Sequence, residues 1–136
     1  MACLDTATIL DLNGRAGKRL LTRATECVRA FLVRGEVLCT TRLNVAELWV
    51  GAHRSDEPET EQKRVQAMLD PLVILEVDEE AAERFGQISA ALLSRGRPIG
   101  DFDVLIAAIA LNAGEPIITR NVKHFGQIPG LQVIAY

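Results

Sequence analysis

The chain has 136 residues, 49% of them apolar and 24% charged, with a net charge of −3. That length suits one domain spanning residues 1–136, and so apolar a composition excludes a disordered chain, a collagen-like repeat or a disulfide-stapled mini-protein. The longest apolar run, Val104 to Leu111, is far short of the roughly 20 residues a membrane span needs.

The first residues are interrupted by Asp5, Asp11, Arg15 and Lys18, which is not the pattern of a secretory signal. A cytoplasmic domain without a membrane partner is therefore expected. Cys3, Cys27 and Cys39 show no C-x-x-C spacing and sit in apolar segments, which reads as buried thiols in a reducing compartment. The two histidines, His53 and His124, lie in different segments, so no zinc site is expected. The acidic balance argues against non-specific nucleic-acid binding, because phosphate neutralisation supplies most of that affinity. Acids gathered around a metal would nevertheless serve a polyanionic substrate.

Periodicity predicts alternating strands and helices. Ala2–Leu4 reads as a strand ending at Asp5, and Thr6 or Thr8 is placed to cap a short helix that closes at Asn13-Gly14. Lys18 to Arg34 has helical apolar spacing and stops at Gly35; Val37–Thr40 is a second strand. Leu43–His53 is a helix with Val45, Ala46, Leu48, Trp49 and Ala52 facing inward, and Pro58–Leu69 is a more polar one. Leu72–Val77 is a third strand, followed by Asp78 as the cap of a helix that ends at Arg95-Gly96. Asp101 or Asp103 opens a helix apolar on every side, which marks it as central and buried. Pro116–Thr119 is a fourth strand, and Leu131–Ala135 a fifth at the edge. Helices of this length between strands imply an α/β fold: a three-layer α/β/α domain around a mostly parallel sheet of four to five strands.

Ligands of such sheets bind beyond the carboxyl ends of the strands. Asp5, Glu47, Asp101, Asp103, Thr119 and Asn121 all fall at such ends or in the helices that follow. Carboxylates converging there repel one another, by about 4 kcal/mol per pair at about 4 Å and an effective dielectric near 20, so cations must neutralise them. Hard oxygen donors favour Mg²⁺ or Mn²⁺. Each acid also has a local reading. Asp5 suits a helix cap, Asp101 and Asp103 suit the positive end of a helix dipole, and Glu47 suits an ion pair with Arg42 or Lys123.

Four segments resemble one family. These are Leu4-Asp5-Thr6, Val45-Ala46-Glu47-Leu48-Trp49-Val50-Gly51-Ala52, Pro98 through Ala108 with its Asp103-Val104-Leu105-Ile106-Ala107-Ala108 ending, and Ile118-Thr119-Arg120-Asn121 leading to Phe125 and Pro129-Gly130-Leu131. In this order and spacing they are similar to the PIN-domain ribonucleases, specifically the VapC toxins of VapBC toxin–antitoxin pairs.

The resemblance implies a PIN-like fold and a Mg²⁺-dependent endoribonuclease, with Mn²⁺ able to substitute. It places Asp5, Glu47 and Asp103 in the acidic metal site and makes Thr119 the hydroxyl that holds the site together. Asp101 is an extra carboxylate nearby. It further implies a homodimer, higher-order assembly with a VapB-like antitoxin, and inhibition by an antitoxin arginine entering the acidic pocket.

Two departures stand out. Ala7 replaces a supporting amide, and Asn121 or His124 stands where many members carry a fourth acid. Arg15, Lys18, Arg97, Arg120 and Lys123 are rim candidates for flanking phosphates. A receiver-type signalling domain is set aside because Asp78 reads as a helix cap and no late strand ends in lysine. A PIN-fold module that binds without catalysis is the remaining alternative.

Overall fold

The computed structural model describes every residue from Met1 to Tyr136. Its elements run β1 (Ala2–Leu4), α1 (Thr6–Leu12), α2 (Lys18–Val33), β2 (Leu38–Thr41), α3 (Arg42–His53), α4 (Pro58–Leu69), β3 (Val73–Leu75), α5 (Glu79–Ser94), α6 (Asp101–Ala113), β4 (Ile117–Ile118), α7 (Val122–Phe125) and β5 (Val133–Ile134). The strands pair in the order β3-β2-β1-β4-β5, and every pairing is parallel. β1 is central, and the path from β3 to β4 crosses over β2 and β1. The strand order therefore reverses at β1, and the carboxyl ends of β1 and β4 sit side by side at the switch point.

Alternation along the strands divides the core into two layers. Ala2, Leu4 and Ile118 face α1 to α4, packing with Ile9, Phe31, Leu48 and Met68. Cys3 and Ile117 point the opposite way, toward α6. In α6, Val104 and Ile106 through Ala110 are all buried, as its lack of a polar face predicted. Fully burying an aliphatic side chain stabilises by about 1.5–3 kcal/mol, so α6 is the main apolar anchor of its layer. It ends at Gly114, whose φ of 71° closes a left-handed cap that a side chain would strain. No helix is long and apolar enough to cross a membrane. All three cysteines are free thiols.

Several local expectations change. The cap of α1 is Asp5, not Thr6 or Thr8, because its Oδ1 accepts from Thr8 N at 2.8 Å. Ala46 and Ala82 are exposed rather than inward-facing. The short helix α7, which follows the fourth strand directly, was not expected. It forms because Phe125 and Ile128 are drawn into the α6 layer.

Candidate active site

The carboxyl edge of the sheet opens into a cavity of about 170 Å³ whose wall includes Asp5, Glu47, Asp103 and Asn121. Each comes from a different element. Asp5 follows β1, Glu47 lies in the middle of α3, Asp103 in the first turn of α6, and Asn121 in the turn between β4 and α7. The fold thus gathers residues that are far apart in sequence.

Asp5 is the most enclosed of the acids, at 5% exposure. Its Oδ1 accepts from the Thr8 backbone N–H and hydroxyl at 2.8 and 2.7 Å, and its Oδ2 accepts from the Thr119 hydroxyl at 2.5 Å. Capping and lining the cavity are therefore compatible roles. Thr119 is fully buried and also accepts from Asn121 N at 2.8 Å, so it couples the acid to the next turn.

Glu47 pairs with neither Arg42 nor Lys123. Its Oε2 accepts from the Thr6 hydroxyl, and Arg42 pairs with Glu76 instead. Asn44, one turn earlier on α3, is fully buried beside it and donates to Leu4 O at 3.2 Å. Thr40 donates to the same carbonyl at 2.7 Å. Together they brace the end of β1 from which Asp5 projects. Asn44 was missed from sequence. Its signal is its i, i+3 spacing from Glu47, which sets the two on one helical face.

Asp103 Oδ2 stands 2.5 Å from His124 Nδ1 and 3.4 Å from Asn121 Nδ2. Asp101 is exposed and does not line the cavity. Ala7 does line it and offers no polar group there.

Burial pushes the Asp5 carboxyl above its ordinary pKa against the pull of Thr119 and Thr8, and Asp103 adds to the rise. Burial likewise raises Glu47; its Thr6 bond opposes this, and both Asp103 and Asp5 reinforce it. The three acids therefore sense one another's charge. No group of three His, Cys, Asp or Glu side chains closes into a cage that would hold a metal ion by itself. The donor set is nevertheless hard oxygen at mutually repelling, partly desolvated carboxylates, which fits a Mg²⁺-like ion that keeps several of its waters.

The sign of the pH dependence follows. Folded Asp5 and Glu47 hold protons more tightly than the unfolded chain does, so their penalty is absent below the ordinary carboxylate range. It grows as pH rises through their raised values. Glu47→Gln should therefore gain stability over the wild type between about pH 4 and about pH 7 in metal-free buffer. Paired denaturant melts measure this, and a gap that shrinks with rising pH contradicts it.

A second network, also missed from sequence, lies behind Asp5. Asp11 is fully buried and accepts from Arg120 Nε at 2.8 Å and from the Tyr136 hydroxyl at 2.7 Å. Burial, with the Asp11 carboxylate adding to it, pushes the Tyr136 phenol well above its usual value. The Tyr136 hydroxyl also stands 3.2 Å from Thr8 Oγ1, which holds Asp5. Arg120 thus anchors the turn between Thr119 and Asn121 and is not a free rim cation, and Arg15 is likewise paired, with Glu61 at 2.8 Å. Arg120→Ala should cost about 2–3 kcal/mol by stranding a buried carboxylate. Urea unfolding reads this directly, and a change below about 0.5 kcal/mol would count against the anchor.

The PIN domain model matches residues 2–131. The chain belongs to the PIN domain family. It is 34% identical over 96 residues to the tRNA(fMet)-specific endonuclease VapC of Salmonella typhimurium, covering 71% of this chain and 73% of that protein. It is 32% identical over 129 residues to ribonuclease VapC2 of Haemophilus influenzae, covering 95% and 92%. Among solved structures, DNA-bound VapBC from Salmonella typhimurium matches at a TM-score of 0.83 and 29% identity, over 99% of this chain and 98% of that one. The receiver-type alternative falls with the family match, and Asp78 is indeed a cap, accepting from Ala81 N at 2.7 Å.

Proposed function

We propose that this PIN domain is the toxin of a VapBC-type pair: a Mg²⁺-dependent endoribonuclease that hydrolyses RNA phosphodiester bonds and is inhibited by a cognate VapB-like antitoxin. The relatives are named as ribonucleases and as VapBC complexes. The observation that carries the reading is the convergence of Asp5, Glu47 and Asp103, from three elements, on one cavity at the switch point of the sheet.

In this reading Asp5, Glu47 and Asp103 hold the ion, with Thr119 fixing Asp5 and Asn121 steadying Asp103. The bound cation supplies Lewis-acid charge for in-line attack on phosphorus. Glu47 is the acid suited to take up a proton. Its Oε2 is engaged by Thr6, it is half-buried, and its raised pKa favours the protonated form. Asp101 serves only at the entrance. Exposed Lys18, Arg97 and Lys123 remain to hold flanking phosphates. The acidic cavity suits an antitoxin arginine, whose fork pairs with carboxylates and competes with the cation. The chain acts as one domain and as a homodimer, joined to its antitoxin in a larger assembly. RNA as substrate and free thiols suit the cytoplasm.

The test is cleavage of total cellular RNA, initiator transfer RNA included, by antitoxin-free protein with Mg²⁺ or Mn²⁺ against EDTA. Discrete fragments that require the ion support the reading and identify the substrate by sequencing. Identical RNA patterns with and without the folded protein would sink it. They would favour the non-catalytic binding module, to which Asn121 and His124 in place of a fourth acid already point.

A further inference from the structure

The turn that leads into α7 brings three polar side chains to one point at the lip of the acidic cavity. His124 Nδ1 is 2.5 Å from Asp103 Oδ2. Asn121 Nδ2 is 3.2 Å from that imidazole nitrogen and 3.4 Å from the carboxylate oxygen. Hydrogen bonding accounts for only part of this triangle. Nδ1 has a single in-plane position, so it either donates to Asp103 or accepts from Asn121, never both. With the proton on Nδ1, the Asn121 amide keeps one long bond to Asp103 and faces an N–H. With the proton on Nε2, the Nδ1 and Oδ2 lone pairs confront each other.

Turning the Asn121 amide over places Oδ1 where Nδ2 stands. The triangle is then a carboxylate oxygen, an amide oxygen and an imidazole nitrogen with no hydrogen between them. A cation resolves that arrangement. Neighbouring ligands about 2.1 Å from an octahedral ion are about 3.0 Å apart, and the observed 2.5, 3.2 and 3.4 Å bracket this spacing. His124 is 39% exposed, so solvent reaches the outer side of the triangle and water can fill the remaining positions. Phe125 and Ile128, both buried, pin the turn that carries His124 and Asn121 against the α6 layer.

We propose that Asp103, Asn121 and His124 form one face of a second cation site, with Asp103 bridging to the first, and that its nitrogen donor makes this site select Mn²⁺ over Mg²⁺. Mg²⁺ prefers oxygen donors, whereas first-row transition ions accept imidazole readily. The inference rests on the proposed role of Asp103 as a metal ligand. It departs from an all-oxygen centre in a way specific to residues 121 and 124 of this chain.

The experiment is electron spin-echo spectroscopy of Mn²⁺ bound to the full, antitoxin-free chain, with calorimetric titration of Mn²⁺ and Mg²⁺. The wild type should show nitrogen modulation that changes when histidine is labelled with ¹⁵N, a result that needs no variant. His124→Gln should lose the modulation and about tenfold in Mn²⁺ affinity, with Mg²⁺ affinity changed less than about threefold. His124→Asp should restore cation binding without the nitrogen signal and shift preference toward Mg²⁺. Tight Mn²⁺ binding without histidine nitrogen modulation overturns this inference and leaves the three-acid centre standing. A nitrogen signal that survives in His124→Gln assigns it to His53 and overturns it too. No Mn²⁺ binding at all overturns both this site and the metal-dependent nuclease.

Discussion

Asp5→Asn is expected to reduce RNA cleavage by about 10²–10³-fold while leaving the fold intact. The amide retains an oxygen able to accept from Thr8 N, and asparagine caps helices as well as aspartate does. What is lost is the negative charge at the most enclosed position of the cavity, the one closest to the switch point. Removing one well-placed electrostatic contact from an enclosed site typically costs that much in turnover. Because burial already disfavours the charged form of Asp5, the variant should be at least as stable as the wild type in EDTA, and added Mn²⁺ should stabilise it far less. For the wild type, a hundredfold excess of ion over its dissociation constant is worth about 2.7 kcal/mol. Gel assays of cleavage, with melting curves at several Mn²⁺ concentrations, measure both. A folded variant that cleaves like the wild type would remove Asp5 from the mechanism.

Thr119→Val should lower cleavage about 10²-fold and cost about 2 kcal/mol of stability, by a route that leaves every acid in place. Valine fills the same volume but has no hydroxyl. Asp5 Oδ2 loses its 2.5 Å donor, and Asn121 N loses the acceptor at 2.8 Å that fixes the next turn. Thr119 is fully buried, so water cannot replace either contact cheaply. A carboxylate released on one side can turn by an ångström, and that displacement is enough to spoil an in-line geometry. Thr119→Ser keeps the hydroxyl and should recover most of the activity, although it leaves a small methyl void. If valine and serine variants behave alike, the methyl matters and the hydrogen bonds do not.

Much of the fold could be read from the chain because it depends on local periodicity. The all-apolar stretch after Asp103 had to be a buried helix, and the short strands separated by helices had to pair in parallel. The acids were recognisable for a related reason: Asp5, Glu47 and Asp103 sit in segments whose patterning fixes their position relative to the sheet edge. Glu47 stood out as a charge on a half-buried helix, since such a group must find a partner.

Which partner it finds is another matter. Thr6, rather than Arg42 or Lys123, holds Glu47 because the end of β1 lies against α3, and no local pattern states that contact. Asp11 looked like an ordinary helix acid, yet it is fully buried between Arg120 and Tyr136, which approach from the far end of the chain. Asp101 and Asp103 are two residues apart and looked interchangeable at the start of α6. The rotation of the helix turns one toward the cavity and leaves the other in solvent. The sequence by itself determined the elements, their layer order and the residue types at the sheet edge. Hydrophobic periodicity encodes which face of an element is buried, and that sufficed for these features. The tertiary structure alone decided the pairing of each polar group, because a hydrogen bond depends on ångström-scale placement of atoms that folding brings together from distant segments.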